Sequence, residues 1–431
     1  MQKMSNVKIF FLVINGQLYY NRREPLFFIF HVRKGCVMSQ SRSFRLSENE
    51  MNEILEHHET PFFVVSTEKI AENYNFLRKH LPHAGVYYAM KANPEPAILQ
   101  TLSALGSCFD VASAGEIAML AGLGIGGSRM IYANTVKDRR GLAAAQQYGV
   151  KRMTFDDESE IAKIAAYVPD AEVLVRIAVH NKRALVDLNT KFGAHPEDAI
   201  PLLQKAKAAG LRPVGICFHV GSQSLSTAAY EEALLFVHGL FAEAKAAGLA
   251  LTDLDIGGGF PVPDSDGLAL DVAAMMETID RQIARLFPET AVYCEPGRFI
   301  PGTAANFVAS VIGTKDRGGH PWYILDDGIY GAFTGLLFDH WHYPLYTFPS
   351  KPGKAIASTL AGPTCDGIDV IAEDYETPRL AIGDHVLATD IGAYTSVSAT
   401  RFNGFDIAPT YIYEEECAAS SGEQELRVAA H

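Results

Sequence analysis

The chain has 431 residues, 48% hydrophobic and 20% charged, enough for a full buried core in two or three units, or one large barrel with a satellite. A formal net charge of -13 argues against nucleic acid as a bulk partner and leaves small cationic substrates compatible. Six cysteines show neither a CxxC pair nor His/Cys metal spacing, and a chain this long needs no disulfide framework, so a reducing, cytoplasmic setting is expected. At the N-terminus, the apolar run in "VKIFFLVINGQLYY" is too short for a membrane span, and Asn15-Gly16 interrupts it where a signal peptide needs its apolar segment. Residues 1–37 are basic and aromatic, and read as a non-native or flexible extension before a working start at Met38; a real extra hairpin is the alternative. Residues 38–65 lead into a helix start and are assigned to a segment that contributes to a β domain.

From residue 61 a rhythm appears. Eight apolar or β-branched runs, "VYYAMK", "CFDVAS", "MIYAN", "RMTFD", "EVLVRI", "GICFHVG", "LDIGGG" and "AVYCEP", alternate with alanine-rich helical patterns such as "AGEIAMLAGLG". This predicts an α/β fold, a (β/α)8 barrel over 66–304, with its active site where the strands' C-terminal ends open into loops. After residue 305 strands and turns follow one another without a helical repeat, so 305–431 is expected to be a β-rich C-terminal domain.

Lys91, Asp110, Asn134, Asp156, Arg176, His219, Gly257, Gly258, Gly259 and Glu295 each fall at or just beyond a different strand's C-terminal end. Taken singly, the lysine is a solvated strand end, the triple glycine a tight turn and the histidine a satisfied core residue. Together on one rim they form a cofactor constellation. Consecutive glycines let backbone N–H groups approach a phosphate, and a phosphate-bearing cofactor that also needs a lysine amine is pyridoxal 5'-phosphate. Glu295 beside a pyridine nitrogen would favour its protonated form, the electron sink that decarboxylation requires. His219 would lie against the ring and Ser222 would reach the phosphate.

The motifs "YYAMKAN", "FDVAS", "RIAV", "FHVGSQ", "DIGGGFP", "EPGRF", "GPTCDGID" and "IGAYT" together resemble the fold-type III, pyridoxal-phosphate-dependent basic amino-acid decarboxylases, most closely those acting on ornithine, from about residue 60 to about 405. The resemblance implies a cofactor-carrying barrel, a β-rich C-terminal domain, and a head-to-tail homodimer with shared active sites. It implies Lys91 as the lysine that condenses with the cofactor aldehyde, with Asp110 and Glu116 near it, and Arg176 and His219 at the ring. It places Ser222, Gly257 to Gly259, Arg298 and Tyr394 at the phosphate and Glu295 at the pyridine nitrogen. Cys365 of the partner subunit is implied as the acid that returns a proton to the substrate's Cα. Asp339 and Asp366 would hold a distal ammonium, with Tyr330 also at the substrate. Lys191 with Asp369, and Asp156 with Lys315, resemble bridges between subunits.

The expected reaction is decarboxylation of a basic amino acid, L-ornithine to putrescine, with L-lysine to cadaverine as a second activity because one methylene discriminates weakly. A lysine- or arginine-preferring enzyme is the first alternative. A diaminopimelate decarboxylase would need a cation where these acids stand, and neither acidic motif holds an arginine. A racemase of this fold resembles a barrel with arginine at the pyridine nitrogen, which Glu295 opposes. A binding-only homologue would lose cofactor residues that this chain retains. His340 and His342 flank Trp341 at i, i+2 spacing without a third ligand in register, so no metal is assigned.

Overall fold

The computed structural model describes residues 12–14, 17–19, 43–179, 190–262, 270–350 and 353–419. The chain divides into two units, 1–40 and 41–431. In the first, β1 (Leu12–Ile14) pairs antiparallel with β2 (Gln17–Tyr19). The reading of the rest of 1–37 lies outside the described residues.

In the second unit, β3 (Phe62–Val65) precedes eight parallel strands: β4 (Ala84–Ala89), β5 (Cys108–Val111), β6 (Met130–Tyr132), β7 (Arg152–Phe155), β8 (Glu172–Ile177), β9 (Arg212–Phe218), β10 (Asp253–Asp255) and β11 (Ala291–Cys294). They close into a barrel in chain order, β9 pairing β10 and β11 returning to β4. This is the barrel expected from the eight runs. Strands covered on both faces need nearly continuous apolar sequence, as in β6 (Met-Ile-Tyr, buried throughout), whereas β10 is also buried throughout although two of its three residues are carboxylates. Tyr87, Ile131, Ala133, Leu174, Val214, Cys217 and Tyr293 pack together in one cluster of barrel-strand side chains and the residue just past β6.

The crossover helices carry their own start and stop signals. Helix Arg139–Tyr148 begins at Asp138, whose carboxylate accepts the Gly141 N–H at 2.6 Å, and ends at Gly149 with φ +74°. Its buried face, Leu142 and Ala145, joins the main apolar core.

Seven further strands follow: β12 (Ala305–Arg317), β13 (His320–Leu325), β14 (Leu345–Phe348), β15 (Ile356–Ala361), β16 (Val370–Thr377), β17 (His385–Thr389) and β18 (Thr410–Ile412). Their sheet runs β14-β17-β12-β13-β15-β16, with β3 paired to β12 and β18 to β3. A strand that enters the chain before the barrel therefore belongs to the sheet that follows it. Buried Asn306 fastens the same segment, accepting the Leu46 N–H at 2.8 Å and donating to the Phe44 carbonyl at 2.8 Å. Among the described residues, no helix is long and apolar enough to cross a membrane.

Candidate active site

The C-terminal rim of the barrel meets the β domain around a cavity of about 380 Å³. β4 runs apolar to Ala89 and then tightens into one 3-10 turn, Met90–Ala92, which delivers Lys91 into that cavity. Ala89 is in register with Asp110 on β5, so the lysine, two residues on, meets the carboxylate of the next strand. Lys91 and Asp110 form an ion pair in which Asp110 is 1% exposed. The lysine side chain is 46% accessible, but that surface opens into the cavity rather than to bulk water. Burial opposes its charge, yet Asp110, Tyr394 and Glu295 together raise its pKa above the ordinary lysine value. Behind Asp110, Glu116 accepts the Ala112 N–H at 2.5 Å, and burial raises its pKa.

Glu295 follows β11 directly and lines the cavity. Burial, then the carboxylates of Asp255 and Asp110, push its pKa well up. Asp255, at the end of β10, is 1% exposed and shares a hydrogen bond with Glu295. It also accepts the Gly257 N–H at 2.8 Å.

His219 follows β9, and its Nδ1 accepts the Gly221 N–H at 2.9 Å, which leaves Nε2 as the protonated nitrogen. Burial, reinforced by Arg176 and Lys91, pushes its pKa down to about 3, so the ring is neutral. The glycine run behind it is sterically required. A Cβ on Gly258 would lie 2.4 Å from the Glu295 carbonyl oxygen, and one on Gly259, at φ +101°, 2.2 Å from the Gly221 carbonyl oxygen. Gln223 ties the two loops together, its amide donating to the Val262 carbonyl and accepting the Val262 N–H, both at 2.8 Å.

Asn134, Arg176, Ser222, Gly259, Arg298, Asp339 and Tyr394 complete the predicted residues on this cavity; Gly257 and Gly258 stand behind it. Arg176 lies with its guanidinium 5.1 Å from the Phe192 ring centre. Arg298, 6% exposed, forms an ion pair with Asp339, so the acid expected at the substrate is joined to the arginine expected at the phosphate. Asp255, Gln223 and Phe192 were missed as site residues; the first two lie inside motifs already singled out and Phe192 follows Lys191, and only the folded geometry turns them toward the site.

The remaining predicted residues are elsewhere. Tyr330, Cys365 and Asp366 form a separate cluster outside the cavity walls. The Tyr330 hydroxyl donates to Asp366, and the Cys365 N–H donates to Asn403 Oδ1 at 3.0 Å. Cys365 is exposed, as are Ile368, three residues on, and Phe405, two residues past its partner Asn403, at 58% and 42%, and Tyr330 stacks on half-exposed Phe402 with ring centres 4.4 Å apart. Asp369 is 3% exposed, and its oxygens accept from the N–H groups of Ile329 and Thr364 and from the Thr364 hydroxyl, so within its own chain it pins two loops together. Asp156 accepts the Gly193 N–H at 2.8 Å, and Lys315 is exposed on β12. Among the described residues, no group of three or more His, Cys, Asp or Glu is placed to hold a metal ion.

Five buried polar atoms without a protein partner belong to residues on the one cavity: Asp110 Oδ1, Arg176 Nε and Nη2, Glu295 Oε1 and Arg298 Nε. They call for a ligand with an anionic end and a ring nitrogen that hydrogen-bonds a carboxyl group. Residues 67–302 match the family model of the pyridoxal-binding domain of pyridoxal-dependent decarboxylases. The chain belongs to this family. It is 63% identical to the lysine/ornithine decarboxylase of Selenomonas ruminantium over 87% of this chain and 95% of that protein. The solved structure of the Selenomonas ruminantium lysine decarboxylase superposes with a TM-score of 0.85 at 63% identity, covering 88% of this chain and 100% of that one. The lysine/ornithine decarboxylase of Vibrio vulnificus, solved with cadaverine, gives 0.80 at 38% identity, covering 85% and 99%. The decarboxylase takes pyridoxal 5'-phosphate as its cofactor.

Proposed function

We propose that this decarboxylase converts L-ornithine to putrescine and accepts L-lysine, giving cadaverine, as a second substrate. The observation that carries the reading is Asp339, a carboxylate contributed by the β domain to the cavity that holds Lys91 and Glu295. A carboxylate there suits a substrate whose far end is an ammonium, and repels one whose far end is a carboxylate. Ornithine and lysine differ by one methylene, worth about 1–3 kcal/mol of discrimination, so one pocket serves both to different degrees.

Lys91 would hold the cofactor through its aldehyde, Glu295 the ring nitrogen, and Arg298, Ser222, Tyr394 and the glycine run the phosphate. When bound, the cofactor supplies an electron sink for the pair left behind as carbon dioxide departs. Glu295 would hydrogen-bond the ring nitrogen, and burial, then Asp255, raises the pKa of its carboxyl group. Neutral His219 offers a ring face and adds no competing positive charge. Asp110 would keep Lys91 oriented toward the cofactor through their ion pair. Cys365 of a second copy returns the proton to the substrate's Cα, with Asp366 beside it at the distal ammonium. That role requires a homodimer, and the exposed apolar face around Cys365 supports a second copy of this chain as its occupant. An exposed thiol of this kind needs a reducing, cytoplasmic compartment.

The test is to incubate the protein with pyridoxal phosphate and separate pools of ornithine, lysine, arginine and diaminopimelate, measuring carbon dioxide and amine, with Lys91→Ala as control. Putrescine from ornithine, with a smaller or comparable yield of cadaverine from lysine, both lost in the variant, is expected. Amine from arginine or diaminopimelate alone, or from no pool, overturns the assignment.

A further inference from the structure

We propose that Trp341 is a positioning residue for the cofactor phosphate, acting through Arg298; the inference rests on the reading above that Arg298 meets that phosphate. The Arg298 guanidinium lies over two rings, its central carbon 4.8 Å from the Trp341 ring centre and 4.9 Å from that of Tyr394. Asp339 pairs with one edge of the group, while Nε has no protein partner. A planar cation packed on two aromatic faces keeps its plane and its N–H edges fixed, which a single carboxylate contact does not ensure.

Trp341 is itself locked. It is 4% exposed, its N–H donates to the Gly335 carbonyl at 3.0 Å, and its indole Nε1–H donates to the Asp390 carbonyl at 3.2 Å. Three non-glycine residues around this seat have left-handed backbone: His340 (φ +51°), immediately before the indole; Asp390 (φ +55°), whose carbonyl accepts its hydrogen bond; and Tyr394 (φ +57°), which provides the second ring. Such conformations persist where the surrounding structure enforces them, and here they concentrate on the residues that clamp one guanidinium. Trp341 is not on the cavity wall, so it touches neither cofactor nor substrate directly.

The full-length apoprotein is titrated with pyridoxal phosphate and, separately, with pyridoxal, which lacks the phosphate, following the visible absorbance of cofactor bound through Lys91. Wild type is compared with Trp341→Leu, Trp341→Phe, Arg298→Met and the Trp341→Leu/Arg298→Met double variant. Trp341→Leu is expected to weaken pyridoxal phosphate by about tenfold or more while leaving pyridoxal within about twofold, with Trp341→Phe in between. In the Arg298→Met background the same substitution should add less than about twofold. Equal weakening of both ligands, an undiminished effect without Arg298, or no effect where Arg298→Met alone weakens pyridoxal phosphate overturns the inference. If neither Lys91→Ala nor Arg298→Met alters pyridoxal phosphate binding, the functional reading itself fails, and this inference with it.

Discussion

Mixing Lys91→Ala subunits with Cys365→Ala subunits should restore activity that neither variant has alone. Cys365 is exposed and lies outside the cavity that contains Lys91, so a chain that is intact at both residues still cannot bring them together by itself. In a symmetric dimer with shared sites, a heterodimer of the two variants has one site carrying both substitutions and one carrying neither. Random exchange makes half the dimers mixed, so about one quarter of the wild-type sites return. Heterodimers isolated through two different affinity tags should show about one half of wild-type activity. The assay is amine release from ornithine, with the two tags proving that exchange took place. The Cys365→Ala parent should also release aldehyde, since a carbanion without its acid is protonated at the wrong carbon. Mixed dimers no more active than their parents would refute the division of the site between two chains.

Glu295→Gln keeps the shape of the side chain but cannot lend a proton to a ring nitrogen, so turnover should fall by about 10²-fold with the cofactor still bound; unchanged steady-state turnover would remove Glu295 from the mechanism. Gly258→Ala places a Cβ 2.4 Å from the Glu295 carbonyl oxygen, against backbone that cannot rotate away. It should cost about 1–3 kcal/mol in urea unfolding and weaken cofactor binding, and a variant of wild-type stability would show that the loops yield. His219 is buried neutral with its pKa pushed down to about 3, whereas an unfolded imidazole titrates near 6.5. The unfolded state therefore binds the extra proton between those values. Its contribution is fully present above about pH 6.5 and is lost at up to about 1.4 kcal/mol per pH unit as pH falls. His219→Gln should show a correspondingly shallower acid slope, and parallel slopes would contradict a neutral buried ring.

The barrel was legible because each strand ended in a polar or glycine residue after an apolar run, and a closed parallel barrel turns those ends toward one rim. Lys91, Asp110, Arg176, His219 and Glu295 consequently meet on one cavity although 204 positions separate the first from the last. Asp255 escaped notice because a carboxylate before three glycines reads as the close of a strand, and only the closed barrel presses it against Glu295. Trp341 was read through its histidine neighbours. Its partner Arg298 lies 43 positions earlier, and no periodicity links an indole in a loop to a guanidinium beyond a barrel strand. Asp369 was named only through the family resemblance, and the backbone donors of Ile329 and Thr364 that hold it inside its own chain are not displayed by the sequence.

The β domain works in two directions, as the proposed division of the reaction site between two chains requires. Its segment around residues 339–341 faces its own barrel, giving Asp339 to the cavity and the Trp341 ring to Arg298. The segment around residues 365–368 faces outward, with Cys365 exposed and Ile368 58% accessible. The groups that hold a cofactor and those proposed to finish the reaction thus lie on different faces of one sheet-based domain. Subunit separation would then leave the lysine, the carboxylate and the phosphate seat intact while removing the proton donor. Cofactor binding and turnover become separable by dilution, which a site completed within one chain would not allow.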